Sequence, residues 1–250
     1  MPAPELVLLG VAGVLAGVVN AVAGGGSLLL FPALLAVGFP PLAANVTNSV
    51  AQCPGYVGVA LGSRRELRGQ RSRVLSTTGV AVAGSLVGSL LLLVLPAEVF
   101  DTVVPVLVAL ASVLLGGQPW LARWLGEPQP DAPDRRAILL PAVFLAATYG
   151  GYFGGALGVI LIALLALTAH DDLRRLNAVK AVLSLIISVV SVVVFTIGAP
   201  VDWLAVALLA PTTLVGGFAG AKLAGRLPAP VLRVSVVVLG LAVSVYLVLR

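Results

Sequence analysis

Long apolar stretches dominate the chain, near 43–62, 74–95, 99–117, 176–197, 201–223 and 231–249. Each approaches the roughly 20 residues that carry a helix across a hydrocarbon core, which predicts six spans. Two further segments, 4–38 and 137–168, are apolar but interrupted. The first contains Ala23-Gly24-Gly25-Gly26-Ser27, and the second contains Gly150-Gly151 and Gly154-Gly155-Ala156-Leu157-Gly158. At about 32–35 residues, each is short for two full helices, so re-entrant hairpins or steeply broken helix pairs are expected. Irregular backbone at that depth survives only inside protein or beside a water-filled cavity. Polar residues and prolines collect between the halves, in Gln118–Arg136, which reads as a linker; a short amphipathic helix around Trp120–Leu125 is the alternative.

The pattern occurs twice. Adding 132 to residue numbers of the first half lands, without a gap, on matching residues of the second. Gly26 falls on Gly158, Asn45 on Asn177, Gly84 and Gly88 on Gly216 and Gly220, and Leu95-Pro96-Ala97 on Leu227-Pro228-Ala229. Coincidences of Leu or Val are cheap in apolar sequence, but these are not, and a duplicated unit of about 115 residues explains them. The expected organisation is a first membrane repeat over 1–117, a cytoplasmic linker over 118–136 and a second membrane repeat over 137–250.

Charge then orients the copies. Arg64, Arg65, Arg68, Arg71 and Arg73 lie between two spans of the first copy, whereas the matching stretch Gly198–Trp203 has no cation. Gly38–Ala43 and Pro96–Asp101 have none either, yet their counterparts carry Arg174 and Arg175, then Arg226 and Arg233 with Lys222 close by. With cation-rich loops inside, Arg123, Arg135 and Arg136 of the linker join them, and only Lys180 and Arg250 stay unplaced. The fold class expected is therefore an all-α polytopic membrane protein of two inverted-topology repeats. Each repeat has a broken or re-entrant helix pair plus three transmembrane helices, and both termini lie outside.

Composition narrows the function. A chain of 250 residues that is 60% hydrophobic and 10% charged, with mean hydropathy +1.12, has too little polar surface for a water-soluble globule of its size. The net charge of +5 sits in short loops, where it sets orientation, so nucleic acid is not an expected partner. Cys53 alone makes neither a disulfide nor a metal site, and reads as a small apolar residue. Ala21-Val22-Ala23 resembles a signal-peptide cleavage site, but Met1–Leu6 holds Glu5 and no cation, so the segment is expected to stay. His170 beside Asp171 and Asp172 reads as a solvated loop rather than a metal ligand. No nucleophile–base pair, phosphate loop or dinucleotide fingerprint appears, so no enzyme activity, cofactor or metal is expected.

A transporter of inverted repeats places its site at the midplane, where broken helices face each other. Ser27 opens an apolar helix just after three glycines, so the N–H groups there are an anion site by geometry and dipole. The pairs Gly84/Gly88 and Gly216/Gly220 read instead as close helix packing. Polar side chains follow on the next helix: Asn45, Thr47, Asn48, Ser49 and Gln52 in copy one, with Asn177, Lys180 and Ser184 in copy two. Asn45 with Asn48, and Asn177 with Lys180, are three apart and share a helix face. Asn20, Tyr149 and Tyr152 add donors from the broken segments. Lys180 either meets an anionic partner within a span or snorkels to the cytoplasmic end. No span carries Asp or Glu, which argues against a proton relay or a carboxylate sodium site. An inside-negative potential favours exit of a monovalent anion by about 2.3 kcal/mol per 100 mV.

Gly17-x-x-Asn20-x-x-Ala23-Gly24-Gly25-Gly26-Ser27, running on to Pro32, followed by Ala44-Asn45-Val46-Thr47-Asn48-Ser49, resembles the first-repeat signature of the sulfite exporter TauE/SafE family. The run Gly150–Gly158, with Asn177 and Lys180, is similar to its degenerate second repeat, although Ala156-Leu157 stands where many members have more glycine. The resemblance spans nearly the whole chain except the linker. It implies a bacterial inner-membrane protein that moves sulfite, sulfoacetate or related sulfur-containing anions, usually outward.

The resulting expectation is an exporter of such anions, organosulfonates included, working by alternating access. A gated small-anion channel and a membrane scaffold without transport are the alternatives. The candidate substrate-binding residues are Asn20, Gly24, Gly25, Gly26, Ser27, Asn45, Asn48, Gln52, Tyr152, Asn177 and Lys180. Expected partners are the small anion and membrane lipid, and a homodimer is compatible with the sequence.

Overall fold

The computed structural model describes residues 2–125, 134–169 and 171–249 and has no strand among them. Five helices form the first half: α1 Ala3–Val22, α2 Ser27–Ala36, α3 Pro41–Gly62, α4 Arg71–Val94 and α5 Ala97–Leu125. Five form the second: α6 Arg136–Tyr152, α7 Leu157–Thr168, α8 Leu173–Gly198, α9 Trp203–Leu223 and α10 Ala229–Leu249. Prolines sit at the first positions of α1 and α3, where the missing N–H costs nothing. Asp172 and Asp202 cap α8 and α9, accepting from the N–H groups of Arg174 (3.0 Å) and Ala205 (2.8 Å).

Among the described residues, six helices are long and apolar enough to cross a membrane: α1, α4, residues 97–120 of α5, α8, α9 and α10. This set differs from the expected one at two places. The α1 helix is 20 residues long by itself, so the first broken pair joins one full helix to a half-length one. The α3 helix has the length, 22 residues, but Asn45, Thr47, Asn48 and Gln52 dilute its hydropathy. Large apolar side chains stand exposed along the long helices, among them Val11, Leu90, Val106, Val113, Ile197 and Val238. A soluble monomer does not leave so much apolar surface in water, whereas in hydrocarbon it carries no penalty. The chain is a multi-pass, all-α membrane protein. The α5 helix runs on into the expected linker as far as Leu125; the 126–133 portion of that linker, and His170, lie outside the described residues.

Packing follows the offset of 132. The α1 helix lies on α9 as α6 lies on α4, α3 lies on α9 as α8 lies on α4, and α2 touches α10 as α7 touches α5. Glycines make the close approaches. Gly84 and Gly88 meet the carbonyls of Phe144 and Thr148 on α6, and Gly216 and Gly220 meet Val14 and Val18 on α1. Helices α1 and α9 run the same way, with Gly13 beside Leu209 and Gly17 beside Thr213. Helices α5 and α10 run oppositely, with Gly240 beside Ser112 and the Ser244 hydroxyl donating to the Pro105 carbonyl at 2.8 Å.

One end of the bundle is tied by ions. The Arg73 guanidinium pairs with Asp134 at 2.7 Å and with Asp171 at 3.1 Å, Arg175 adds Asp171 at 3.2 Å, and Gln70 donates to Asp171 at 2.6 Å. Partial burial pushes the Asp171 carboxyl up, but hydrogen bonds from Gln70, the Asp172 N–H and Arg73, with the charge of Arg175, together hold it below its ordinary 3.8. At the opposite end the Asp202 N–H donates to the Thr47 hydroxyl at 3.1 Å, and Gly198 makes an apolar contact with Leu93.

Candidate functional site

Both helix breaks turn through the left-handed region. Gly24 has φ 80° and Ala156, its counterpart at the offset of 132, has φ 53°; Gly154 adds φ 74°. The alanine therefore shares the left-handed φ of its glycine counterpart, at a cost of about 1–2 kcal/mol for its Cβ, although α7 starts two residues earlier in this register than α2. The breaks touch. A Cβ on Gly158 would stand 2.7 Å from the Gly24 Cα, and one on Gly24 would stand 2.7 Å from the Gly158 carbonyl carbon. From this contact α2, of 10 residues, and α7, of 12, lead away over about 15 and 18 Å, each roughly half a hydrocarbon thickness.

Amides hold the first break. The Gly26 N–H donates to Asn20 Oδ1 at 2.9 Å, and Asn20 Nδ2 donates to Gln52 Oε1 at 2.7 Å. One N–H of the expected anion-binding turn is therefore already taken by a side chain of the protein. Helices α1 and α6 both end here, leaving last-turn carbonyls without helical partners. Asn45 Nδ2 donates to the Tyr152 carbonyl at 3.0 Å, and its counterpart Asn177 reaches the Ala21 carbonyl at 3.4 Å. Each asparagine thus caps the broken helix of the other half. Lys180 Nζ donates to the Asn20 carbonyl at 3.2 Å, at the negative end of the α1 dipole. It is 3% exposed, so it does not snorkel, and it has no ion-pair partner among the described residues.

Rings hold the second break. The Tyr149 hydroxyl donates to the Gly155 carbonyl at 2.6 Å, and Phe153 meets Phe31 edge-on at 5.7 Å and lies against Phe100 and Tyr149. Beside the two breaks is a cavity of about 20 Å³ bordered by Ser27, Gln52, Tyr56, Ser184, Ser188 and Ser191, among others; it has the room of roughly one water. Of the sequence candidates, Ser27 and Gln52 border this cavity. Asn20 and Gly26 are bonded to that wall, and Gly24 forms the contact with Gly158. Asn45, Asn48, Tyr152, Asn177 and Lys180 do not border it. Tyr56, Ser188 and Ser191 escaped sequence reasoning. The spacing of Ser184, Ser188 and Ser191, at i, i+4 and i+7, was the available signal, since it puts all three on one face of α8. That polar face continues onto α4, where Ser85 donates to the Ile187 carbonyl at 2.8 Å and Ser89 to the Ser191 hydroxyl at 3.1 Å.

Paired discontinuous helices whose breaks touch beside a small cavity are the architecture of a membrane transporter. The family model described as Sulfite exporter TauE/SafE matches residues 9–247, and the chain belongs to that family. Among its relatives, the "Probable membrane transporter protein YfcA" of Escherichia coli (strain K12) is 29% identical over 217 residues, covering 85% of this chain and 77% of that one. The "Probable membrane transporter protein ORF9" of a Sinorhizobium species is 28% identical over 180 residues, covering 66% of each chain. A "Probable membrane transporter protein" of Haemophilus influenzae is 24% identical over 221 residues, covering 87% of this chain and 84% of that one.

Proposed function

We propose that the protein exports sulfite or a related sulfur-containing anion, organosulfonates included, by alternating access of two inverted halves in a bacterial inner membrane. Both termini face outside. The observation that carries this reading is the backbone contact of Gly24 with Gly158 beside a small cavity bordered by Ser27, Gln52 and Ser184. Two half-length helices start from that contact, so a rocking of one half against the other opens the cavity to either side. At the volume of one water the cavity is too small for a three-oxygen anion, and loading requires such a movement. Asn20, Gly24–Ser27, Asn45, Asn48, Gln52, Tyr152, Asn177 and Lys180 build the polar centre. The carboxylates of the described spans, Glu5, Glu98 and Asp101, stand near the starts of α1 and α5 and do not border the cavity, which favours an anion over a cation there.

The test is efflux from proteoliposomes loaded with sulfite or sulfoacetate. Flux above that of empty liposomes is expected, accelerated by an inside-negative potential and showing counterflow, with steep losses in Asn45→Ala and Asn177→Ala at equal reconstitution. Flux no greater than that of empty liposomes for every sulfur oxyanion tried rejects the reading, and unitary conductance steps in its place make the protein a channel.

A further inference from the structure

Among the described residues, four buried side-chain atoms around the breaks have no hydrogen-bond partner: Asn45 Oδ1, Asn48 Oδ1, Gln52 Nε2 and Ser184 Oγ. An orphaned polar atom in a dry site is costly unless a ligand supplies the missing bond. Only Gln52 and Ser184, 1% and 0% exposed, belong to residues that border the cavity. The polarity of Gln52 is fixed from the backbone. A main-chain N–H can only donate, so the Gly26 N–H pins Asn20 Oδ1 as an acceptor. That leaves Asn20 Nδ2 to donate to Gln52 Oε1, which turns that oxygen toward Asn20 and keeps both N–H bonds of Nε2 for a ligand. The other orphan, the Ser184 hydroxyl, is free to turn its proton wherever an acceptor arrives. Lys180 lies one turn before Ser184 on the same face of α8 and contributes positive potential.

We infer that Gln52 Nε2 and Ser184 Oγ are the paired donors that receive the translocated oxyanion, in the cavity between α3 and α8, with Asn20 as the positioning residue that keeps the Gln52 amide facing it nitrogen first. Each donor comes from a different half of the chain, so a ligand with at least two terminal oxygens bridges the halves when bound. Neutral amide and hydroxyl donors hold such an anion without the desolvated ion pair that would oppose its release. The sequence candidates Asn45 and Asn177 act on this site as caps of the opposite broken helices, since their amide nitrogens are spent on carbonyls.

This inference rests on the oxyanion-transport reading above, and the experiment separates the two. Binding of sodium sulfite to the purified full-length protein is measured by calorimetry and by the shift of its thermal midpoint, for the native chain and for Gln52→Glu and Ser184→Ala. Gln52→Glu keeps the acceptor for Asn20 and replaces the donor by an oxygen at nearly constant volume; Ser184→Ala removes a hydroxyl that bonds to nothing, so its ligand-free midpoint stays at the native value. The expected result is a loss of at least tenfold in sulfite affinity for the first and at least fivefold for the second. Native-like affinity in Ser184→Ala, whether or not Gln52→Glu folds, overturns the donor pair while leaving the transport reading intact. No sulfite binding or flux by the native protein overturns both.

Discussion

In the first half of the molecule the break between α1 and α2 is held by amide hydrogen bonds: Gly26 to Asn20, Asn20 to Gln52, and Lys180 to the Asn20 carbonyl. In the second half the break between α6 and α7 follows a related backbone path, with Ala156 where the first half has Gly24, but it is held by Tyr149 and the packed ring of Phe153. The same local problem, a helix interrupted in a dry interior, has a polar solution on one side and an aromatic one on the other. The polar solution leaves Gln52 Nε2 unpaired in a residue that borders the cavity, and the aromatic one packs Phe153 against Phe31, Phe100 and Tyr149. Both breaks turn through the left-handed region, while the unpaired polar atoms of cavity-bordering residues, Gln52 Nε2 and Ser184 Oγ, belong to α3 and α8.

The harshest trial of this comparison is steric. A methyl at Gly26 meets the Ala16 carbonyl and stands 2.7 Å from Asn20 Cγ, and one at Gly158 meets the Gly24 backbone. Gly26→Ala and Gly158→Ala are each expected to cost about 3 kcal/mol or more, read as loss of the monodisperse peak and of a cooperative melt. A native melt in Gly158→Ala would mean that the two breaks are not equally indispensable. Next comes the polar holding itself. Asn20→Ala unsatisfies both the Gly26 N–H and Gln52 Oε1, for about 2–3 kcal/mol, against about 1 kcal/mol for the single hydroxyl lost in Tyr149→Phe; equal drops in melting temperature would erase the distinction.

A smaller effect distinguishes the ion-tied end, where Asp171 of the second half meets Gln70 and Arg73 of the first. Because the Asp171 carboxyl is held below its ordinary 3.8, it contributes stability above that value, about 1 kcal/mol at most. That contribution fades as pH falls through the lowered folded-state value. The melting temperature should therefore be level above about pH 5 with respect to this group and fall in acid, with a shallower fall in Asp171→Asn. An unchanged acid limb in that variant removes the carboxylate from the account. Least of all is Ala156→Gly. Relief of a left-handed alanine, about 1–2 kcal/mol, is largely offset by glycine's greater chain entropy, about 0.5–1 kcal/mol, so a gain below about 1 kcal/mol is expected. A clear loss of stability would show that the buried Ala156 methyl matters more than the backbone angle.

Much of the fold could be read directly, because lipid imposes a plain rule: a long apolar stretch is a helix. The stretches around α4, α5, α8, α9 and α10 needed no further information, and the glycine clusters marked the breaks. How the first broken pair divides into a full helix and a half-length one is not legible in the sequence, because nothing local says where a segment ending at residue 38 splits. The packing role of Gly84 and Gly216 was legible from spacing. The role of Asn45 and Asn177 was not, because the carbonyls they cap belong to residues 107 and 156 positions away in the chain.

Hydropathy and the placement of the glycine clusters are properties of the chain alone, and they determined that this is a multi-pass helical membrane protein with two interruptions. They could do so because burial in hydrocarbon acts on each segment separately. Which amide atoms are spent and which remain free was decided only when the halves packed. A hydrogen bond joins two groups, and the Gly26 N–H fixes the orientation of Gln52, 26 residues later, only through an asparagine that the fold sets between them.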